Sequence, residues 1–163
     1  MGSTLMAIVT QGKHGRNYHS PSTDQRDIAE SAKPAWKPIG TLPEKHRSIS
    51  SQLYGLDEYH KLFTPRQLTA LTTFGELVHE ARELAMQDAL AAGLADDGAP
   101  LRENGCGARA FGEAVSLQLA FVIDELADLS SNLCRWEPVA QCPRGMFERQ
   151  ALPMVWDYAE GNP

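Results

Sequence analysis

The fold of this chain is decided by the stretch Ala114-Val115-Ser116-Leu117-Gln118-Leu119-Ala120-Phe121-Val122-Ile123. Its residues are apolar on nearly every side of a helix, which is typical of a buried helix with neighbours on several faces. We expect this helix to begin near Ala108 and to end near Asn132. Burying each large side chain contributes about 1.5–3 kcal/mol, so leaving several of them exposed would be costly.

A first long helix is predicted upstream of this stretch. The sequence Thr64-Pro65-Arg66-Gln67 is a strong start signal. The threonine can cap the helix, the proline suits the first helical position and the glutamine completes a capping box. Apolar residues then recur at helical spacing as far as Ala92, and Gly93 is expected to end the helix.

The N-terminal residues predict a small β-hairpin followed by a short helix. The apolar run Leu5-Met6-Ala7-Ile8-Val9-Thr10 reads as a strand, and Asn17-Tyr18-His19 can return as its partner across a basic turn. Ser22-Thr23-Asp24-Gln25 can cap a helix that runs through Ala32. The predicted fold class is therefore mainly α, with a small N-terminal β-hairpin.

Three regions follow from these patterns. Residues 1–32 form the β-hairpin and short helix, residues 33–62 form an irregular connector that contains proline and glycine, and residues 63–163 form a helical region. A helix is expected on either side of Pro153. The connector could pack through isolated apolar anchors or be disordered in isolation. These anchors are Trp36, Ile39, Leu42, Ile49, Leu53 and Leu56.

The charge of the chain is unevenly distributed along the sequence. The 163 residues are enough for one domain with a core, and their net charge is -6. This balance argues against a free-standing, sequence-independent DNA binder. Residues 1–66 hold nine Lys and Arg against six Asp and Glu, a balance of +3, and the remainder holds six against fifteen, a balance of −9. The front third could touch phosphate, although solvated surface charge is the favoured interpretation.

Cysteine usage and hydropathy predict a reduced, cytoplasmic protein without a membrane segment. Cys106, Cys134 and Cys142 include no C-x-x-C pair, which fits neither a disulfide framework nor a closed zinc site. The chain has no run that approaches the roughly 20 apolar residues of a membrane helix.

Residues for catalysis, metal binding or cofactor binding are not predicted in this chain. His79-Glu80 is not followed by the second histidine of a zinc-binding helix. Gly12-Lys13-His14-Gly15-Arg16 follows a predicted strand but lacks the spacing of a phosphate-binding loop. Asn104-Gly105-Cys106-Gly107 follows a loop instead of a strand, so it is a weak signal for a cofactor loop.

One cluster indicates a nucleic-acid surface. Ser130-Ser131-Asn132-Leu133-Cys134-Arg135-Trp136-Glu137-Pro138 places amide, guanidinium and indole groups at the end of a helix. Arginine and a planar aromatic are suited to phosphates and bases. The candidate DNA contacts are Arg135, Trp136, Arg144 and Arg149. A structural helix cap with a core tryptophan is the slightly favoured alternative.

Several blocks of the sequence carry a resemblance to a known family. They are Gly12-Lys13-x-Gly15-Arg16-x-Tyr18, Tyr54-Gly55, Phe63-Thr64-Pro65-Arg66-Gln67-Leu68, Ser131-Asn132-Leu133-Cys134-Arg135-Trp136, and Phe147-Glu148-Arg149-Gln150-Ala151-Leu152-Pro153-Met154-Val155-Trp156-Asp157-Tyr158-Ala159-Glu160 with Asn162-Pro163. In this order they resemble a family of large prokaryotic proteins that contain a domain of unknown function and are described as adenine-specific DNA methylases, some with a zinc ribbon. The resemblance covers nearly the whole chain.

The resemblance implies a Rossmann-like methyltransferase that uses S-adenosylmethionine to methylate the exocyclic amine of adenine. In such enzymes a glycine-rich loop holds the cofactor and a D-P-P-Y motif holds the flipped base. In the family the loop lies before this region and D-P-P-Y lies after it. We interpret Asn162-Pro163 as the family's Asn-Pro step upstream of the catalytic motif, and the zinc-ribbon cysteines have no counterpart.

The chain is therefore expected to be a helical segment from between the motifs of the methyltransferase. It is expected to be inactive and without bound cofactor when alone, and to meet DNA and the remaining parts of the enzyme in the complete protein. The alternative is a free-standing helical adaptor that assembles with a separate catalytic subunit through its apolar helix and tail. A stand-alone small enzyme is disfavoured, because the sequence offers no paired nucleophile and base.

Overall fold

The computed structural model describes residues 3–44 and 46–161. The chain divides into two compact units. We call Leu71–Ala127 the helical unit, and Met1–Ala70 with Asp128–Pro163 the mixed unit. In the described residues the helices are α1 Thr23–Ser31, α2 Pro65–Ala91 and α3 Ala108–Leu129, and the strands are β1 Ile8–Gly12, β2 Gly15–His19, β3 Arg135–Glu137 and β4 Cys142–Arg144. A mainly helical chain with a small N-terminal hairpin is thus confirmed.

The N-terminal elements form as the sequence predicts. Strand β1 pairs with β2 in antiparallel register, with Ile8 opposite His19 and Gly12 opposite Gly15. Helix α1 begins with a capping box, in which the Ser22 hydroxyl accepts the Gln25 N–H at 3.2 Å and the Ser22 N–H donates to the Gln25 side chain at 2.8 Å. These bonds satisfy backbone donors that the first helical turn leaves unpaired.

Helix α2 also begins with its predicted capping box. The Thr64 hydroxyl accepts the Gln67 N–H at 3.1 Å, and the Thr64 N–H donates to Gln67 Oε1 at 2.8 Å. The helix ends at Ala91, and Gly93 has a φ of 93°, the left-handed conformation that commonly follows a helix. Helix α3 ends at Leu129, three residues before the expected end.

The two helices of the helical unit approach each other closely at Gly112. A Cβ at this position would lie 2.7 Å from the Arg82 carbonyl oxygen and 3.1 Å from Met86 Cβ. The structure describes every residue of this unit, and its buried hydrophobic side chains are all alanines: Ala89, Ala108 and Ala110. Two helices alone therefore do not enclose the larger apolar side chains of the unit.

The core of the mixed unit is built from the connector, the segment after α3 and the C-terminal tail. It consists of Leu42, Leu56, Leu62, Leu133 and Met146. The connector is thus part of the core. Anchoring is confirmed for Leu42 and Leu56.

Three of the predicted connector anchors are wrong. Trp36, Ile39 and Leu53 are 51%, 90% and 79% exposed. An irregular segment that lies along a core turns only some of its side chains inward, and sequence alone does not tell which ones.

The predicted helices on either side of Pro153 are wrong. Among the described residues no helix follows α3. The Leu152 N–H donates to the Ser48 carbonyl at 2.8 Å, and the Ala159 N–H donates to the Cys134 carbonyl at 2.8 Å. The tail therefore uses its backbone groups to pair with neighbouring segments, and Pro153 lacks the N–H that a helix interior needs. The helical part of region 63–163 ends at Leu129.

The tail is fastened to the start of α2 through Glu160. Its carboxylate accepts the Arg66 Nε–H at 2.6 Å and the Gln67 side-chain N–H at 2.8 Å. The hydrogen bond that Arg66 donates to Glu160 raises the pKa of Arg66. A carboxylate at this position also interacts favourably with the partial positive charge of the helix N-terminus.

Within the described residues, no helix combines the length and the apolar character that crossing a bilayer requires.

We predict opposite stability effects for two glycine-to-alanine substitutions in the long helices. Gly75 in α2 has nothing within 4 Å of an added Cβ, so Gly75→Ala should stabilise the chain by about 1 kcal/mol through helix propensity. Gly112→Ala meets the Arg82 carbonyl, and crowding should outweigh the same gain, with a net loss on the order of 1 kcal/mol. Urea denaturation followed by helical circular dichroism measures both effects. An equal gain in both variants would contradict the close contact at Gly112.

Candidate nucleic-acid interface

Two of the predicted DNA-contact residues face each other across a strand pair. Arg135 in β3 is the register partner of Arg144 in β4, and both side chains are exposed. Side chains of directly opposed residues project from the same face of a sheet. The pairing therefore places two guanidinium groups side by side, an arrangement that needs an anion nearby.

Glu148 supplies that anion within the chain. Its Oε2 lies 2.7 Å from Arg135 Nη2, and Glu137 lies on the other side of the same guanidinium at 3.5 Å. The hydrogen bond from Arg135 is the largest influence that lowers the pKa of Glu148. Desolvation opposes it, and the charges of Arg135, Arg144 and Arg149 lower the pKa further. Glu148 thus sits among three arginines.

Arg149 joins this group at a shallow cavity. Arg135, Glu148 and Arg149 line a space of about 190 Å³, together with apolar side chains that include Leu133 and Val155. This volume is below the range of roughly 300–1,000 Å³ that is usual for small-molecule pockets. The site is suited to a compact charged group at the surface and is too small to enclose a cofactor. We call Arg135, Arg144 and Arg149 the arginine cluster.

The fourth predicted residue, Trp136, lies apart from the arginine cluster. Successive strand residues point to opposite faces of a sheet, so Trp136 projects away from its neighbour Arg135. Its ring packs edge-on against Tyr18, with centroids 6.1 Å apart and planes at 81°. Trp136 is half-buried and Tyr18 is 56% exposed. The structure therefore brings the three arginines together and pairs the tryptophan with the N-terminal hairpin.

The sequence reasoning missed Arg16 and Tyr18 as neighbours of the β3–β4 strand pair. The Arg16 Nε–H donates to the Gln141 carbonyl at 3.3 Å, at the turn between β3 and β4. The basic stretch around Lys13 had been recognised, but its 125-residue separation from Gln141 hides the contact. The only available signal was that both segments carry the same family resemblance.

The segment before the arginine cluster is structural. Cys134 Sγ lies 3.1 Å from the Asp128 carbonyl oxygen, and burial raises the pKa of this thiol. The Asn132 N–H donates to the Leu62 carbonyl at 2.7 Å. The structural alternative thus describes Ser131–Cys134, which are mostly buried, whereas Arg135 begins the exposed part.

Asp128 positions the chain that leads to Glu148 and Arg149. Its side chain accepts the Phe147 N–H at 2.7 Å, and its carbonyl accepts the Met146 N–H at 3.0 Å. A Cβ at Gly145 would collide with the same carboxylate. This close approach fixes the direction in which β4 continues toward the arginine cluster.

The arginine cluster lies on the less acidic of the two units. The mixed unit holds twelve Lys and Arg against eleven Asp and Glu, a balance of +1. The helical unit holds three against ten, a balance of −7. Guanidinium groups bind phosphate and carboxylate oxygens through paired hydrogen bonds. The arginine cluster of the mixed unit therefore has the chemistry to bind an anion. Glu148 competes with such an anion, because it already pairs with Arg135.

Metal ligation has no comparable site. The part of the chain that the structure describes contains no group of three His, Cys, Asp or Glu side chains placed to hold a metal ion. Asn162-Pro163, interpreted above as the family's Asn-Pro step, lies outside the described residues.

Comparisons with known proteins return no relative for this chain. No family model, no curated protein and no solved structure matches it.

We predict that Glu148 titrates below the ordinary range of a glutamic acid. Its pKa is lowered in the folded chain, so the stabilising contact with Arg135 is present above the unfolded pKa and is lost as the pH falls through the folded value. Carbon-13 NMR of the Glu148 carboxyl should show a low midpoint that rises in Arg135→Gln. Arg102→Gln, in the loop of the helical unit, serves as the control and should leave the midpoint unchanged. An ordinary midpoint in the unmodified chain would contradict the arrangement.

Proposed function

We propose that this chain is the helical segment of an adenine-specific DNA methyltransferase, located between the two halves of a Rossmann-like core that binds S-adenosylmethionine. The observation that carries the proposal is the uncovered apolar surface of the helical unit. Ten large apolar side chains of this unit expose between 38% and 63% of their surface. Seven of them lie between Phe74 and Leu84 in α2 or between Phe111 and Val122 in α3: Phe74, Leu77, Leu84, Phe111, Leu117, Phe121 and Val122.

The size of this surface argues that something covers it in the working protein. Each side chain exposes about half of its area, so the seven together present on the order of 700 Å². Monomeric proteins rarely expose apolar patches larger than roughly 300–600 Å², and one partner of a stable interface buries about 800 Å². A helical insert that packs against the rest of a larger enzyme accounts for this exposure.

The contacts between the blocks that resemble the methylase family support the same proposal. Gln67 bonds Glu160 across 93 residues, and Tyr18 packs on Trp136. The Ala159 N–H donates to the Cys134 carbonyl. Blocks that are far apart in sequence thus contact one another in one unit. These contacts are a physical reason for the blocks to occur together in one chain.

In this proposal the chain contributes DNA contacts and leaves the chemistry to the rest of the enzyme. The arginine cluster would bind backbone phosphates, and Tyr18 with Trp136 would offer aromatic surface on the other face of the β3–β4 pair. The glycine-rich loop and the D-P-P-Y motif would come from the neighbouring parts of the methylase. No residue of this chain is assigned a catalytic role.

We predict that Glu148→Gln strengthens DNA binding by the chain. Removing the internal carboxylate frees Arg135 from its ion pair and removes a negative charge near Arg144 and Arg149, so the affinity for a short duplex should rise severalfold at low salt. Arg135→Glu and Arg149→Glu should weaken binding with little effect on helical content. Arg102→Gln, which removes an exposed arginine outside the cluster, should have a much smaller effect. Fluorescence anisotropy with a labelled duplex measures all four variants, and equal losses from the cluster and from Arg102 would count against a specific surface.

The assignment to a methylase is tested by the coding sequence on either side of this chain. We expect a glycine-rich loop upstream and a D-P-P-Y motif downstream. Calorimetry with S-adenosylmethionine should detect no binding to the chain alone, because the loop that holds the cofactor lies elsewhere. Micromolar binding, or flanks without either motif, would contradict the proposal.

The adaptor alternative draws on the same apolar surface. A helical module that assembles with a separate catalytic subunit would behave as a monodisperse species with a single cooperative melting transition. A segment that depends on its neighbours would aggregate or melt without cooperativity. Gel filtration and calorimetric melting separate the two.

A further inference from the structure

We propose that the apolar surface of the helical unit binds a cationic amphipathic α-helix. The proposal rests on the proposed function in one respect, which is that this surface is covered in the working protein. It adds the chemical class of the covering element.

Three of the exposed large apolar side chains of α2 form one stripe with the half-buried Ala81, whereas Leu90 lies on another side of the helix. Phe74, Leu77, Ala81 and Leu84 follow one another at spacings of three, four and three residues. Ala81 lies one residue before Arg82, whose carbonyl oxygen is beside Gly112 of α3. One residue corresponds to a rotation of 100° about the helix axis. The stripe is therefore turned by about 100° from the contact with α3.

Helix α3 repeats this offset. Phe111 lies one residue before Gly112, and Val122, ten residues after Gly112, comes to within about 20° of Phe111 around the helix axis. Gly112 marks the face that meets α2, since an added Cβ there would contact Arg82 and Met86.

The two stripes share one side of the helix pair. Because α3 returns along α2 after the loop, rotations of the same sense on two antiparallel helices lead to the same side. The helical unit thus presents a single apolar face with a groove between its two stripes. We call it the apolar face.

Carboxylates border the apolar face. Glu80 and Asp88 lie beside the stripe of α2, and Glu125 lies beside the stripe of α3, all of them exposed. Residues 71–127 contain no lysine.

The arginines of the helical unit are already engaged with neighbouring carboxylates. Arg82 pairs with Glu83 at 3.1 Å and Arg109 pairs with Glu113 at 3.1 Å. Arg102 pairs with Glu103 at 3.5 Å. The net charge of −7 already includes these three arginines, so carboxylates are in excess at the border of the apolar face.

This combination selects among possible occupants. A second copy of the chain would bring two acidic borders together, and like charges in an interface oppose association. Nucleic acid and anionic lipid are repelled for the same reason. A helix with leucine-like side chains on one side and Lys or Arg on its flanks would fill the groove and neutralise the border. This matches the general mode in which an amphipathic helix lies in an apolar groove.

The test uses two synthetic helical peptides and the intact 163-residue chain. One probe has leucines at i, i+3, i+4 and i+7 with lysines elsewhere, and the other has glutamates in place of the lysines. Fluorescence anisotropy of the labelled peptides reports affinity at several salt concentrations. We expect the lysine peptide to bind at least tenfold more tightly than the glutamate peptide, and its affinity to fall as salt rises.

Charge-swap variants locate the site. Glu80→Lys with Glu125→Lys should reverse the preference between the two peptides. Asp27→Lys with Glu30→Lys on α1 gives the same change in net charge at exposed positions outside the helical unit, and it should keep the preference for the lysine peptide. Val122→Gln should weaken binding of either peptide. Helical circular dichroism verifies that each variant stays folded.

Several outcomes would overturn the proposal. Equal binding of the two peptides, binding of neither, or an unchanged preference in the Glu80 and Glu125 double variant each exclude a cationic helix as the occupant. Sedimentation equilibrium that shows a dimer broken by Val122→Gln would assign the apolar face to a second copy. These results do not test the methylase assignment, which is tested by the flanking coding sequence. The two proposals can therefore fail independently.

Discussion

Two antiparallel helices can bury only the sides that they turn toward each other, and this constraint governs the helical unit. The helices are in close contact at Gly112, and the buried apolar side chains of the unit are alanines. Phe111, Phe121 and Val122 remain 49%, 54% and 63% exposed. The chain thus carries apolar surface beyond what this helix pair can cover, and the proposals for assembly begin from that excess.

The mixed unit is stabilised in a different way, by contacts between segments that are distant in sequence. Gln67 is the clearest case, because its side chain closes the cap of α2 and also donates to Glu160 in the tail. The residue is 3% exposed, so these bonds form away from water, where an unpaired amide would be costly. The cap therefore holds the tail at Glu160, and the adjacent Ala159 N–H bonds the Cys134 carbonyl just before β3.

The arginine cluster shows how far sequence reasoning could reach toward a site. It selected Arg135, Arg144 and Arg149 from their residue type and neighbourhood, and the structure brings these three together around Glu148. It could not assign Trp136 to the other side of the sheet, because that required the β3–β4 register. Arg16 and Tyr18 were missed because their contacts to this surface span more than a hundred residues.

The sequence by itself determined the elements whose cause is local. The capping boxes at Ser22 and Thr64 set where α1 and α2 begin, and the glycine after α2 sets where it ends, because each acts through bonds or backbone angles within a few residues. Only the tertiary structure decided the path of the tail around Pro153, which connector side chains enter the core, and which side of the helix pair stays apolar. Those outcomes depend on which distant segment supplies a backbone partner or an apolar neighbour, and no local pattern specifies that choice.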